Sequence, residues 1–377
     1  MKLLVSGEGV TELGRPGQAG IIDTIVRRCL DDDARRLIAF DNHRYSPMRR
    51  EGRGDTPRAE NALAEARRRD CDGVIIVRDA DRDADARRVH LEAACRRHDI
   101  PWVVGVAIET IEAWVLADEA AVRMVLSRSV ELPERPEALW GPPGKAGHPK
   151  HEWENLCRQA RITPALATKA AVLDRALLST LREKCPRGFA PFHDALTTAF
   201  PPFDLVIAVD RAGGIGRDQG LPWPKLKADL AHFKALTSTA AAGKRNAIVM
   251  GRKTFESKEV ARRALPRRLS VVISRSPQAL PEGVLGARSL TEALFRARQV
   301  EDIDQVFVVG GAEIYRHALA HPRLRHAYVT RVDGDFGCDT VVPDLDATMT
   351  ADASWAGAGA HEDNGVRYRI ERLARPA

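Results

Sequence analysis

The sequence predicts two α/β domains in tandem, residues 1–200 and 201–377. Three observations lead there. Short apolar runs suited to buried strands alternate with stretches of helical periodicity, the pattern of βαβ units and a mainly parallel sheet. The 377 residues suffice for two cores of ordinary size. Pro201-Pro202 cannot continue a helix, and a fresh series of strands starts right after it, so the boundary falls there.

In chain order, Lys2–Ser6 and Gly73–Val77 read as buried parallel strands, and Trp102–Ala107 follows Ile100-Pro101 as a third. Ala59–Arg69 and Asp85–Arg97 carry the helical repeat between them. Leu139–His151 is rich in Gly, Pro and Lys and is expected to be a loop. Helical periodicity returns over Thr163–Lys184, Cys185–Gly188 breaks it, and Phe189–Phe200 reads as a last helix. Beyond the two prolines, strands are expected at Asp204–Val209, Asn246–Met250, Leu269–Ser274, Gln305–Val309 and Ala327–Val332. No internal repeat or low-complexity tail is present.

Composition narrows the class. With 44% apolar and 29% charged residues the chain should fold as a soluble protein, and no apolar run approaches the roughly 20 residues that span a bilayer. The start, MKLLVSGEGVTE, has too short an apolar stretch for a signal peptide. Cys29, Cys71, Cys95, Cys157, Cys185 and Cys338 are scattered without a CxxC pair, which suits free thiols in the cytoplasm. A net charge of +6 suits anionic ligands, whether nucleotides, folates or nucleic acid, and equally an arginine-rich solvated surface. GPPGK at Gly141–Lys145 lacks the spacing and hydroxyl of a phosphate loop. His148, His151 and Cys157 lack a zinc site's spacing and a fourth ligand.

Candidate chemistry is densest in the second half. Asp229 lies on a helical stretch with Leu230 and Phe233, so its carboxylate has apolar surroundings, which disfavour the charged form. Phe233 is one turn on and shares its face. Gly310-Gly311 follows an apolar strand and precedes a helix, an arrangement that lets backbone approach a diphosphate at a helix N-terminus. Arg252, Lys253 and Thr254 open another helix after Asn246–Met250. Gly213–Gly216 begins a loop that ends in Leu221-Pro222-Trp223.

Five blocks, DLVIAVDRAGGIGRDQGLPWPKLKADLAHFKALT, IVMGRKTFES, LPRRLSVVISRS, VFVVGGAEIY and YVTRVDGDFGCDTVVPD, occur in one order across residues 203–377. In content and spacing this half resembles the dihydrofolate reductases. The resemblance implies an α/β/α domain with a central mixed sheet and NADPH-dependent reduction of dihydrofolate. It implies that Asp229 binds the pterin and assists protonation at N5, with Thr330 hydrogen-bonded to it and Trp223 and Leu221 closing the loop over the site. Phe233, Val206 and Ile207 would line the substrate. Arg268 would grip the glutamate carboxylate, with Arg267 as the neighbouring alternative. NADPH would lie against Ala208, Ile215, Gly216, Gly251, Arg252, Lys253, Thr254, Ser274, Arg275, Val309, Gly310, Gly311, Ala312, Glu313, Ile314 and Tyr315. Arg252 and Arg275 would face a 2′-phosphate. Asp339 and Thr340 would brace the closing loop, although Cys338 stands where the family often has glycine. A pterin or pyrimidine reductase of the same fold is the neighbouring reading, and Arg268 favours folate because it has a tail to grip.

The first half carries acids at predicted strand ends: Glu8 and Glu12 after the first, Asp79, Asp81 and Asp83 after the second. Such oxygen ligands suit Mg²⁺, and acids there equally cap the following helix. With IETIEAWVLAD, in which Glu109 and Glu112 are spaced one helical turn apart, residues 1–200 resemble the Toprim fold and an uncharacterised Toprim-like family of bacterial genomes. That resemblance implies a mainly parallel sheet, Mg²⁺ held by Glu8, Asp79 and Asp81, with Glu12, Asp83 and Glu109 as further candidates, and cleavage of nucleic-acid phosphodiesters. A nucleic-acid-processing protein with an accessory reductase is therefore a third reading of the whole chain. The sequence gives no sign of oligomeric state.

Overall fold

In the computed structural model, the described residues are 1–7, 13–14, 19–31, 37–44, 54–80, 83–276, 279–355, 357 and 359–376. The chain divides into two compact units, Met1–Ala199 and Phe200–Ala377.

The first unit is built on four strands, β1 (Lys2–Gly7), β2 (Ala39–Arg44), β3 (Gly73–Asp79) and β4 (Trp102–Ala107), all parallel in the order β2-β1-β3-β4. Between them run α1 (Ile21–Cys29), α2 (Asp55–Arg68) and α3 (Ala84–Cys95). Leu4, Val74, Ile76, Val104 and Val106 point to one face and pack with Ala59, Ala62, Leu63 and Ala66 of α2 and with Leu91 and Ala94 of α3. Those α2 positions fall on one helical stripe, and small alanines let the helix lie close to the sheet. Residues of opposite parity face the other layer, where the ring of Phe192 lies so close to Gly105 that a Cβ there would stand 2.7 Å from it.

After β4 the unit is helical: α4 (Glu112–Val115), α5 (Glu119–Leu126), α6 (Pro149–Ala160), α7 (Leu166–Arg175), α8 (Leu178–Lys184) and α9 (Phe189–Ala199). Two expectations change here. The Gly/Pro-rich loop ends earlier than His151, because Pro149 opens α6 and His148 caps it, its Nδ1 accepting the Lys150 N–H at 3.3 Å. The stretch Thr163–Lys184 is two helices rather than one. Ala176 and Leu177 are extended, the Leu177 N–H donates to Asp118 Oδ2 at 2.8 Å, and Arg28 donates to the carbonyls of Leu173 and Ala176. Tertiary partners here replace hydrogen bonds that a continuous helix would have made.

The second unit comprises β5 (Phe203–Val209), β6 (Gly214–Gly216), α10 (Lys227–Ser238), β7 (Arg245–Gly251), α11 (Arg252–Phe255), β8 (Arg268–Ile273), β9 (Val284–Ala287), α12 (Leu290–Arg298), β10 (Ile303–Val308), α13 (Ala312–Leu319), β11 (Leu324–Val332), β12 (Thr340–Val341), β13 (Thr350–Ala351), β14 (Gly359–Asp363) and β15 (Val366–Ala374). Eight of these strands run β13-β15-β11-β5-β10-β7-β8-β9, with β14 also on β15. From β11 to β9 neighbours are parallel, while β15 is antiparallel to β11, β13 and β14, so the sheet is mixed. On one face Leu205, Ile207 and Val249 pack with Leu290, Ala293, Leu294 and Ala318. On the other, Val206, Ile248, Met250 and Phe307 meet Phe233 and Leu236 of α10 and Phe255 of α11. A separate pair, β6 and β12, ties the loop after β5 to the chain after β11. Among the described residues no helix is long and apolar enough to cross a membrane.

Candidate active site

Asp229 sits in the first turn of α10 and is half-buried. The Thr330 hydroxyl on β11 donates to its Oδ1 at 2.6 Å. Burial pushes the Asp229 carboxyl above its ordinary value, against the smaller opposing pull of Thr330 and of the imidazole of His232. Among the described residues its hydrogen-bond partner is this neutral hydroxyl rather than a cation, so burial prevails in setting its pKa. Trp223 is 5% exposed, edge-on to Phe336 at 5.8 Å, and its buried Nε1 has no hydrogen-bond partner among the described residues. Leu221 of the same loop is exposed.

Phe233 follows on α10, and beyond it Arg268 lies at the start of β8 with its guanidinium 6.0 Å from the Phe233 ring. Arg268 is 9% exposed and donates to Thr237 Oγ1 at 2.7 Å and to the Pro266 carbonyl at 3.2 Å. Burial and the neighbouring Arg267 push its pKa down. Arg267 itself is exposed, with a left-handed backbone, so of the two arginines Arg268 is the one turned inward. Val206 and Ile207 are buried on β5, on opposite faces of the sheet.

A second group surrounds the Gly310-Gly311 peptide, which is cis. Gly310 has φ +124°, and a Cβ on it would stand 3.3 Å from both Thr254 Oγ1 and Tyr315 Oη; one on Gly311 would stand 3.1 Å from Thr254 Oγ1. The positive φ at Gly310 demands glycine, and the pair exposes backbone at the N-terminus of α13, beside Ala312 and Glu313. The Gly251 N–H donates to the Gly310 carbonyl at 2.7 Å, and the Val309 N–H to Val249 at 2.9 Å, so the turn is held against β7. Tyr315 and Ile314 are buried, and the Tyr315 hydroxyl donates to the Val206 carbonyl at 2.8 Å; burial pushes that phenol's pKa well up. Arg252 and Lys253 on α11 and Arg275 after β8 are exposed, Arg252 paired with Glu256 at 2.8 Å and Arg275 with Glu313 at 3.8 Å. Ser274 closes β8's turn by donating to the Ser276 carbonyl at 2.9 Å. Bare backbone at a helix N-terminus, flanked by exposed cations, fits a diphosphate and a further phosphate.

The loop after β5 links the two groups. Ala208 and Ile215 are half-buried, and Gly216 on β6 pairs with Thr340 on β12. Asp339 accepts the Asp218 N–H at 2.9 Å. Sequence reading overlooked two further anchors. Asp210 accepts N–H groups of Ala212, Gly214 and Phe336 as well as the Cys338 thiol, and Glu259 accepts the Leu221 N–H at 3.1 Å. It also overlooked His232, one turn from Asp229. An imidazole at i+3 from a candidate acid was the available signal.

In the first unit Asp79 ends β3, its Oδ1 accepting the Ile111 N–H at 3.0 Å, and Asp83 caps α3 through the Ala86 N–H at 3.2 Å. Glu8, Glu12 and Asp81 lie outside the described residues. Glu109 and Glu112 do not share a helix face. Glu109 is left-handed ahead of α4, whereas Glu112 is buried in an ion pair with Lys169 of α7. Among the described residues no cluster of three or more His, Cys, Asp or Glu could hold a metal ion.

The family pattern described as "Dihydrofolate reductase" matches residues 202–375. The Sus scrofa dihydrofolate reductase is 33% identical over 178 residues, which cover 45% of this chain and 96% of that protein. The Drosophila melanogaster enzyme is 34% identical over 179 residues, 46% of this chain and 97% of its own length. The structure of Schistosoma mansoni dihydrofolate reductase is 31% identical and covers 46% of this chain and 98% of that one, with a TM-score of 0.42.

Proposed function

The chain belongs, through its C-terminal unit, to the dihydrofolate reductase family, and on that premise we propose how its residues divide the chemistry. The C-terminal unit reduces dihydrofolate to tetrahydrofolate with NADPH. NADPH supplies the hydride. Saturating the C6–N5 double bond takes that hydride at C6 and one proton at N5. Asp229 binds the amino group and ring N–H of the pterin and favours the protonated N5. Its partial burial raises its carboxyl above the ordinary value, while the Thr330 hydroxyl opposes that rise and fixes the carboxylate's orientation. Phe233 and Val206 line the pterin and aminobenzoyl rings, and Arg268, pre-aimed by Thr237, takes the glutamate carboxylate. That clamp favours folate over a pterin or ribityl-pyrimidine substrate, which lacks the tail.

Gly310, Gly311 and Thr254 hold the cofactor's diphosphate, with Arg252 and Arg275 at its 2′-phosphate. Ala208 and Ile215 hold the carboxamide through backbone groups, and Trp223 with Leu221 excludes water once the loop closes. The observation that carries this reading is Asp229, half-buried on α10 and bonded to Thr330. The test is NADPH oxidation that depends on added dihydrofolate. Asp229→Asn should lower its rate on the order of 10²–10⁴-fold at neutral pH, and a wild-type rate in that variant overturns the assignment.

For the first unit the reading is a Toprim-like domain acting on nucleic acid. Its support is the all-parallel sheet β2-β1-β3-β4 with Asp79 at the carboxyl end of β3, the end at which α/β sheets carry their sites. Asp79, with Glu8 and Asp81, would hold Mg²⁺ and activate water against a phosphodiester. Mg²⁺-dependent cleavage of DNA or RNA that Asp79→Ala abolishes supports this. Intact substrates with both proteins refute a nuclease role.

A further inference from the structure

His232 lies one turn beyond Asp229 on α10, at the i+3 position that shares its face. Its ring is 6.5 Å from Tyr328 of β11 and 6.2 Å from Trp355, which itself stands edge-on to Tyr328 at 5.8 Å. From β14, His361 acts on it as a like charge, its own ring stacked on Tyr368 at 5.3 Å. Behind Trp355, Arg372 sits 5.9 Å from the indole and is paired with Asp352. The buried Nε2 atoms of both His232 and His361 have no hydrogen-bond partner among the described residues. The imidazole next to the acid thus lies beside the rings of Tyr328 and Trp355, and among the described residues Asp229 is the anion whose charge favours its protonated form.

We propose that His232 is a second ionising group of this active site, a positioning residue whose charge state is coupled to that of Asp229. The coupling runs both ways, because two neighbouring sites titrate as a pair. Burial disfavours the imidazolium and His361 adds to that, while the Asp229 carboxylate favours it. In return, a protonated His232 favours ionised Asp229. At alkaline pH His232 is neutral and leaves Asp229 to burial and Thr330. As the pH falls through the imidazole range, His232 takes up a proton and opposes protonation of the acid. The acid therefore keeps its grip on the pterin's donors further into the acidic range than burial alone would allow. This rests on Asp229 being the substrate-binding acid.

The test follows the His232 ring by NMR in the full-length, histidine-labelled chain, a readout that needs no turnover. In Asp229→Asn the midpoint should move to lower pH, since the favouring anion is gone, and in His361→Gln it should move to higher pH. A midpoint indifferent to Asp229→Asn overturns the proposal. In NADPH oxidation, His232→Gln should carry the Asp229 limb to higher pH, and His232→Asn serves the same purpose should Gln unfold the chain. A pH profile superimposable on the wild type also overturns it. Failure of Asp229 as the acid would appear separately, as an undiminished rate in Asp229→Asn.

Discussion

Asp229 and Glu112 are two carboxylates taken from water in the two units of this chain, and they end in opposite states. Glu112 is the more deeply buried, 5% exposed, yet it is the one held below its ordinary value. Burial pushes it up, and the charge and hydrogen bond of Lys169, itself 4% exposed, overcome that push. Asp229 is only half-buried and has a hydroxyl where Glu112 has an ammonium, so burial wins and its carboxyl rises. Depth alone does not decide readiness to trade a proton; the charge of the partner does. Glu112 is locked as an anion and serves the fold. Asp229 has no such lock, which suits the proposed role of an acid that accepts the pterin's N–H donors and favours a proton nearby.

The comparison breaks hardest at Lys169. Lys169→Met leaves a buried carboxylate without its counter-charge and should destabilise the first unit by about 3–5 kcal/mol, read as a fall in its urea midpoint. Adding Glu112→Gln should recover most of the loss, and no recovery would mean that packing matters there rather than charge. Next in size is the response to acid. The folded-state pKa of Glu112 is depressed, so its stabilisation is present above its unfolded value of 4.5 and is lost as the pH falls through the lowered folded value. Asp229 has the opposite sign, because a raised pKa favours the folded state in acid and loses that contribution as the pH rises through it. Acid titration followed by unit-specific tryptophans, Trp114 and Trp153 against Trp223, should show the first unit losing stability on the acid side. Smallest is Thr330→Val. It removes the one hydroxyl that favours ionised Asp229, so the pH–rate limb should move to higher pH, and NADPH oxidation should slow by roughly 10-fold at neutral pH. A limb that moves to lower pH would reverse the sense of the comparison.

Much of the frame was legible in the amino-acid order. The apolar runs read at Lys2–Ser6, Gly73–Val77 and Asp204–Val209 fall within the buried strands Lys2–Gly7, Gly73–Asp79 and Phe203–Val209, and the Gly-Gly after β10 announces a close approach of backbone. The edge of the second sheet was not legible. Burial along β14 shows no clean alternation, and β13 is two exposed residues, so neither leaves a periodic trace. Helix α1, with Asp23 and Thr24 buried among isoleucines, and β2, reading AFDNHR, were overlooked because polar residues interrupt their apolar pattern. The helix expected over Thr163–Lys184 was broken by Asp118 and Arg28, residues remote in sequence.

The order of residues was therefore enough to place Asp229 one turn from Phe233, to set Gly310-Gly311 between an apolar strand and a helix, and to stop a helix at Pro201-Pro202. Those are local properties, set by helical spacing, backbone freedom and the stiffness of proline. Local spacing did not pair Thr330, 101 residues away, with Asp229, a contact that only the family resemblance implied, nor did it show that Lys169, 57 residues on, would neutralise Glu112. Those pairings depend on which strands lie side by side and in what register. The register of β11 on β5, which sets Thr330 beside Ala208, is decided by the packing of two sheet faces at once, information that no single segment carries.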